Sequence, residues 1–182
     1  MTGTILLTLE YFLENPYEEV HLRDLARKTK RSTYTTKKNV DILVKENLIT
    51  EERRAHLRLL RANTSNQVYK HLKKARSIQN LLRANIISYV ENRVTALAAI
   101  ILFGSVAKGE DSRESDIDLL IIGKEKKTSN SADSSEITKL DRELNIHIMS
   151  WSAWTETAEK NTAFYNEVVR HGIPLYGEVP YV

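Results

Sequence analysis

Cysteine is absent from the 182 residues, which excludes disulfides, thiolate zinc sites and cysteine nucleophiles and fits a reducing cytoplasm. No run approaches the roughly 18 uninterrupted apolar residues that a membrane span needs. The longest run, Ala96 to Phe103, suits one buried strand. No basic stretch precedes the apolar residues after Met1, so no signal peptide and no membrane association are expected. No internal repeat occurs. What is present is a globular balance, 41% hydrophobic and 28% charged, in a length that suits one ordinary domain or two small ones.

Charge divides the chain. Residues 1–76 carry 16 Lys/Arg against 9 Asp/Glu, a balance of +7. Residues 77–182 carry 11 against 15, a balance of −4. A basic first part suits a polyanion, and the acidic remainder has other work.

Helical apolar spacing runs from Thr4 to Glu14 and stops at Asn15-Pro16. A short helix is expected over Val20–Arg27. Ser32 is a good N-cap for a third, running to about Glu46 with Thr36, Val40 and Leu43 on its inner stripe. Two strands, 48–50 and 56–60, flank a tip at 52–55. Helix, helix, helix, hairpin resembles a winged helix-turn-helix, most tellingly in Leu43-Val44-Lys45-Glu46-Asn47-Leu48-Ile49, with Asn47 at the left-handed position after the helix. The resemblance implies that Tyr34, Thr35, Lys37 and Lys38 face nucleic acid, with Arg31 at the helix start and Arg53 and Arg54 at the wing tip. It also implies DNA, or RNA, as partner and a homodimer.

Further along, helices are expected over 67–75, 78–92, 135–143 and 152–170, and strands over 97–103, 117–122 and 144–149, followed by a short segment Ile173-Pro-Leu-Tyr. Residues 124–135 read as a polar loop. The chemistry lies in one string. A buried strand ends in Gly104-Ser105, and ten residues later a second strand opens with Asp116-Ile117-Asp118. Alternate strand residues share a face, so the two carboxylates project together. Adjacent carboxylates repel unless a cation lies between them, and hard oxygen ligands suit Mg²⁺, or Mn²⁺. Gly104 lets backbone approach a ligand, and Ser105 opens a helix whose free N–H groups favour phosphate.

Gly-Ser, ten residues, then Asp-x-Asp and an apolar run resembles the minimal nucleotidyltransferases of the DNA polymerase β superfamily. The likeness covers about residues 80–178. It implies a nucleoside triphosphate, ATP first, as substrate, with Asp116 and Asp118 catalytic and metal-binding and Gly104, Ser105 and Lys108 against the phosphates. It also implies a HEPN-type toxin as a possible partner, the chain then being antitoxin-like. The family has a third acid on a later strand. Here that position maps to Asn145, an amide with neither charge nor basicity. His147, two residues on, is either a substitute base or structural, and Glu143 or Asp141 would serve as the acid after a register shift. Trp151 and Trp154 stack on a base or pack helix to sheet.

The expected fold is therefore α/β (α+β): a winged helix over 1–63, a linker helix over 64–78, and a nucleotidyltransferase-type mixed sheet with flanking helices over 79–182. The expected function is Mg²⁺-dependent transfer of a nucleoside monophosphate to an acceptor hydroxyl by a DNA-tethered enzyme. The alternative is a catalytically impaired transcriptional regulator or antitoxin that senses a nucleotide or partner.

Overall fold

The computed structural model describes residues 3–54, 57–126, 140 and 142–182. The chain divides into two compact units, Met1–Lys73 and Lys74–Val182.

In the first unit, α1 (Gly3–Glu14) is followed by β1 (Val20–His21), α2 (Leu22–Lys28), α3 (Thr33–Lys45), β2 (Ile49–Arg54) and β3 (Leu57–Ala62). The strands form an antiparallel sheet in the order β1-β3-β2. The helix expected from Val20 loses its first two residues to the sheet, because Val20 and His21 pair with Leu60 and Leu59. Ser32 caps α3, its hydroxyl accepting from the Thr35 N–H at 3.1 Å. Asn47 closes it with φ 57°, and the Leu48 N–H donates back to the Leu43 carbonyl at 2.9 Å. That six-residue closure satisfies a carbonyl the helix end would otherwise orphan. Thr36, Val40 and Leu43 are buried as their spacing predicts, and so is Asn39. The Asn39 amide donates to the Thr4 carbonyl and the Thr8 hydroxyl, each at 2.9 Å, so burial leaves its N–H groups partnered. The core is Leu9, Phe12, Leu25, Val40, Leu43, Leu48, Ile49, Leu60 and Tyr69, whose hydroxyl donates to the Phe12 carbonyl at 2.7 Å.

Of the two helices expected over 67–75 and 78–92, the first, α4 (Gln67–Arg83), runs eight residues further than expected and the second starts correspondingly later. Arg76-Ser77 offers nothing that breaks a helix. The break comes instead at Asn85, left-handed at φ 56°, from which α5 (Ile86–Arg93) starts. The second unit then runs β4 (Val94–Phe103), α6 (Gly104–Lys108), β5 (Ile117–Glu125), β6 (Leu144–Met149), α7 (Trp151–Lys160), α8 (Thr162–His171) and β7 (Ile173–Tyr176). The helix expected over 152–170 is divided at Asn161, whose side chain leaves the first helix to accept from the Phe164 N–H and start the second. Most of the helix expected over 135–143 lies outside the described residues. Lys124 and Glu125, expected in a loop, extend β5.

The sheet order is β6-β5-β4-β7, with β5 and β6 parallel and the other pairs antiparallel. Alternation sorts its side chains. Ile100, Leu102, Leu119 and Ile121 pack with Ile86 and Val90 of α5. Ile101, Phe103, Leu120 and Ile122 pack on the other face with Trp154 of α7 and Val168 of α8. Trp154 is fully buried and its indole N–H donates to the Pro180 carbonyl at 2.7 Å, whereas Trp151 is half exposed. No helix among the described residues is long and apolar enough to cross a membrane.

Candidate active site

The strand–helix–strand unit β4-α6-β5 delivers the motif. Phe103 ends β4 opposite Asp118 on β5, so the chain reverses within α6 and the loop that follows it. Gly104 occupies the turn at φ 72°, a region side chains disfavour. A methyl group on it would stand 2.4 Å from Asp118 Oδ2. The glycine is therefore required twice, by backbone conformation and by the carboxylate pressed against it. Asp118 lies on the sheet face of Leu120 and Ile122.

Across the parallel pair, Asp118 is in register with Asn145. The Asn145 amide N–H donates to Asp118 Oδ1 at 3.0 Å. The position opposite the second aspartate therefore holds a hydrogen-bond donor, not a third carboxylate. His147, the next same-face residue of β6, turns into a ring cluster, 5.7 Å from Phe103 and 6.2 Å from Phe164. That packing gives it a structural setting. Among the described residues no group of three His, Cys, Asp or Glu side chains is placed to share a metal ion.

Asp116 is exposed, one residue before β5 begins. The pairing of β5 with β6 begins just after it, where the Ile117 N–H donates to the Glu143 carbonyl at 2.9 Å. The loop that carries Asp116 is braced by Arg142, a residue sequence reasoning missed. Its guanidinium donates to Asp111 Oδ2 at 2.8 Å, to the Ser115 carbonyl at 2.6 Å and to the Asp116 carbonyl at 3.4 Å. Asp111 is buried, so its charge has to be paired. Two acceptors lie in a spacer that reads as polar filler, and the donor lies 26–31 residues away. No local pattern could have joined them.

Ser105 lies in the single turn of α6, its carbonyl accepting from the Glu110 N–H at 3.0 Å. Five residues make a weak dipole, so a phosphate there would depend on a cation for most of its neutralisation. Lys108 is paired with Glu167 of α8 at 2.7 Å and is about one-third exposed.

In the first unit Tyr34, Lys37 and Lys38 are exposed together on α3, with the Lys38 ammonium 5.2 Å from the Tyr34 ring centre. Thr35 is half-buried, because its hydroxyl meets that of Ser32 at 2.9 Å in the helix cap. Arg53 and Arg54 end β2, exposed, each paired with a carboxylate two residues back, Glu51 and Glu52. Arg58 joins the carboxylates of Asp41 on α3 and Glu51 on β2, fixing helix and hairpin together.

No curated protein matches the chain. Among solved structures, a toxin-antitoxin with AMP-PNP is 25% identical over 52% of this chain and 73% of its own, with a TM-score of 0.35. A mutant of the toxin-antitoxin MntA-HpeT is 20% identical over 52% of this chain and 72% of its own, with a TM-score of 0.34. The profile of one family, polymerase beta nucleotidyltransferase, matches residues 84–180, more than half of the chain and all of the strand–helix–strand site. The chain belongs to the polymerase beta nucleotidyltransferase family.

Proposed function

We propose that this protein binds a nucleoside triphosphate through residues 79–182 and DNA through a winged helix formed by residues 1–63, with 64–78 connecting them. Asp116 and Asp118 would hold Mg²⁺ (or Mn²⁺), and Gly104, Ser105 and Lys108 would lie along the phosphates of ATP. The observation that carries this reading is the close contact of Gly104 with Asp118, which sets the carboxylate directly against the backbone turn that opens α6. Hard carboxylate oxygens suit Mg²⁺, which keeps water and takes substrate phosphates as its other ligands, so two protein carboxylates suffice. When bound, the cation would neutralise phosphate charge.

The DNA reading rests on exposed Tyr34, Lys37 and Lys38 along one helix, with Arg53 and Arg54 on the adjacent hairpin. The Arg54–Glu52 pair is exposed on both sides and therefore weak, and the Arg53 guanidinium is itself exposed while its partner Glu51 is also held by Arg58, so both arginines can turn to phosphate. The chain would then act as a transcriptional regulator that holds a nucleotide.

A second reading, nucleotidyl transfer, is favoured by the intact Asp116-x-Asp118 pair. There an acceptor hydroxyl would attack the α-phosphorus, the bond to the β-phosphate oxygen would break, and pyrophosphate would leave. The acceptor proton needs a base, which Asn145 cannot be. Incubation of the protein with α-labelled ATP and Mg²⁺, alone, with bulk RNA and with lysate, separates the two. The binding reading expects retained ATP and no covalent label. Label that appears with wild type and vanishes in Asp116→Ala/Asp118→Ala would establish the transferase instead. Loss of ATP binding altogether would remove both.

A further inference from the structure

We infer that the carboxylate site takes one divalent cation per chain, the cation that arrives with the triphosphate, and has no place for the second cation of two-metal phosphoryl transfer. This rests on the reading that Asp116 and Asp118 bind a cation–nucleotide complex.

Two metal ions about 3.5–4 Å apart need carboxylates that bridge them and enough negative charge to hold them together. In this chain the two oxygens of Asp118 have different surroundings. Oδ2 lies against Gly104, 2.4 Å from where a methyl group would stand. Oδ1 accepts the Asn145 amide N–H at 3.0 Å. A second cation at Oδ1 would have to displace that donor. The amide would then rotate and offer its neutral oxygen, exchanging a charge-assisted hydrogen bond for a weak ligand.

Among the described residues no neighbouring group joins the two aspartates to supply the missing charge, and Asp141, expected as a candidate acid, lies outside them. The β5–β6 register places Asn145 beside Asp118 and His147 beside Leu120, and His147 packs against Phe103 and Phe164. Asp111 is buried and held by Arg142. Glu143 contributes its carbonyl to the Ile117 N–H, and its side chain is exposed. Among the described residues no three candidate ligands share a metal position. Two carboxylates carry a formal charge of −2, which one divalent cation balances. A second would leave the protein side of the site positive before any phosphate contributed.

Electron paramagnetic resonance of Mn²⁺ tests this on the full chain, because bound and free Mn²⁺ are counted directly and a close Mn²⁺ pair gives a coupled spectrum. With a non-hydrolysable ATP analogue at saturation, wild type is expected to bind one Mn²⁺ per chain without coupling. Asn145→Asp is expected to bind two, coupled, while Asn145→Ala stays at one. Two coupled ions in wild type would overturn the inference and leave nucleotide binding standing. One ion in a folded Asn145→Asp, checked by its melting curve, would also overturn it, since the amide would not be what excludes the second. Failure of wild type to bind the analogue would remove the underlying reading of the site, an outcome distinct from either.

Discussion

Gly104→Ala is the most informative single substitution, because its effects on stability and on ligand binding separate. Alanine at φ 72° costs roughly 1–2 kcal/mol in backbone strain. Its methyl group would stand 2.4 Å from Asp118 Oδ2 and 3.3 Å from Cγ, so the side chain has to rotate. An off-rotamer aspartate adds about 0.5–1.5 kcal/mol. Together these give a loss of about 1.5–3.5 kcal/mol, which urea unfolding followed by circular dichroism would measure. The carboxylate is the far end of a flexible side chain, so the fold survives while the ligand moves. A displacement on the 1 Å scale is expected to weaken Mn²⁺–nucleotide binding by about a hundredfold. Gly172→Ala is the control. Its methyl group would lie 2.3 Å from the Val168 carbonyl oxygen and 2.7 Å from Ile101 Cγ2, where α8 packs on the sheet and where neither Asp116 nor Asp118 is within contact of it. Overpacking there costs about 1–3 kcal/mol, with binding by the folded molecule unchanged. If Gly104→Ala bound Mn²⁺ and nucleotide as wild type does, Asp118 would not be a ligand.

Three further outcomes follow from the same contacts. Arg142→Ala removes one partner of buried Asp111 and is expected to cost about 2–3 kcal/mol in urea unfolding, with Arg142→Lys recovering only the ion pair; an unchanged midpoint would show that the brace is idle. Burial pushes the Glu51 carboxyl up, but hydrogen bonds from Arg58 and Arg53 outweigh it and hold the group below its usual 4.5. The carboxylate therefore stabilises the fold above pH 4.5 and loses that contribution as pH falls through its folded value. Glu51→Gln should lower the melting temperature at pH 7, by about 1 kcal/mol in stability, and the gap to wild type should close in acid; a pH-independent gap would contradict this. Lys37→Ala/Lys38→Ala should weaken DNA binding and reduce the slope of log affinity against log salt by about 1.8, and an unchanged slope would mean that neither lysine meets a phosphate.

How much of this could be read beforehand depended on distance along the chain. The Ser32 cap, the Asn47 closure, the buried stripe of α3 and the strand opening at Ile117 are local patterns, and each lies where its residues place it. Asn145 opposite Asp118 was legible because alternation and the family pattern point to the same residue. The full length of α4 was hidden, because the polar residues around Arg76-Ser77 neither break a helix nor reveal that it continues. The break at Asn161 was hidden for the opposite reason, since asparagine serves both as helix interior and as cap, and its hydrogen bond to Phe164 decides between them. Arg142 and Asn39 carry the least local signal. Their partners lie 26–35 residues away and are in part backbone carbonyls, which leave no trace in side-chain identity.

The most direct test of the account is calorimetric titration of ATP into wild type and into the nearly isosteric Asp118→Asn, each with and without Mg²⁺. The account expects ATP to bind wild type only when Mg²⁺ is present and Asp118→Asn in neither condition, with both proteins equally folded. Binding to wild type that ignores Mg²⁺, or that survives Asp118→Asn, would contradict it.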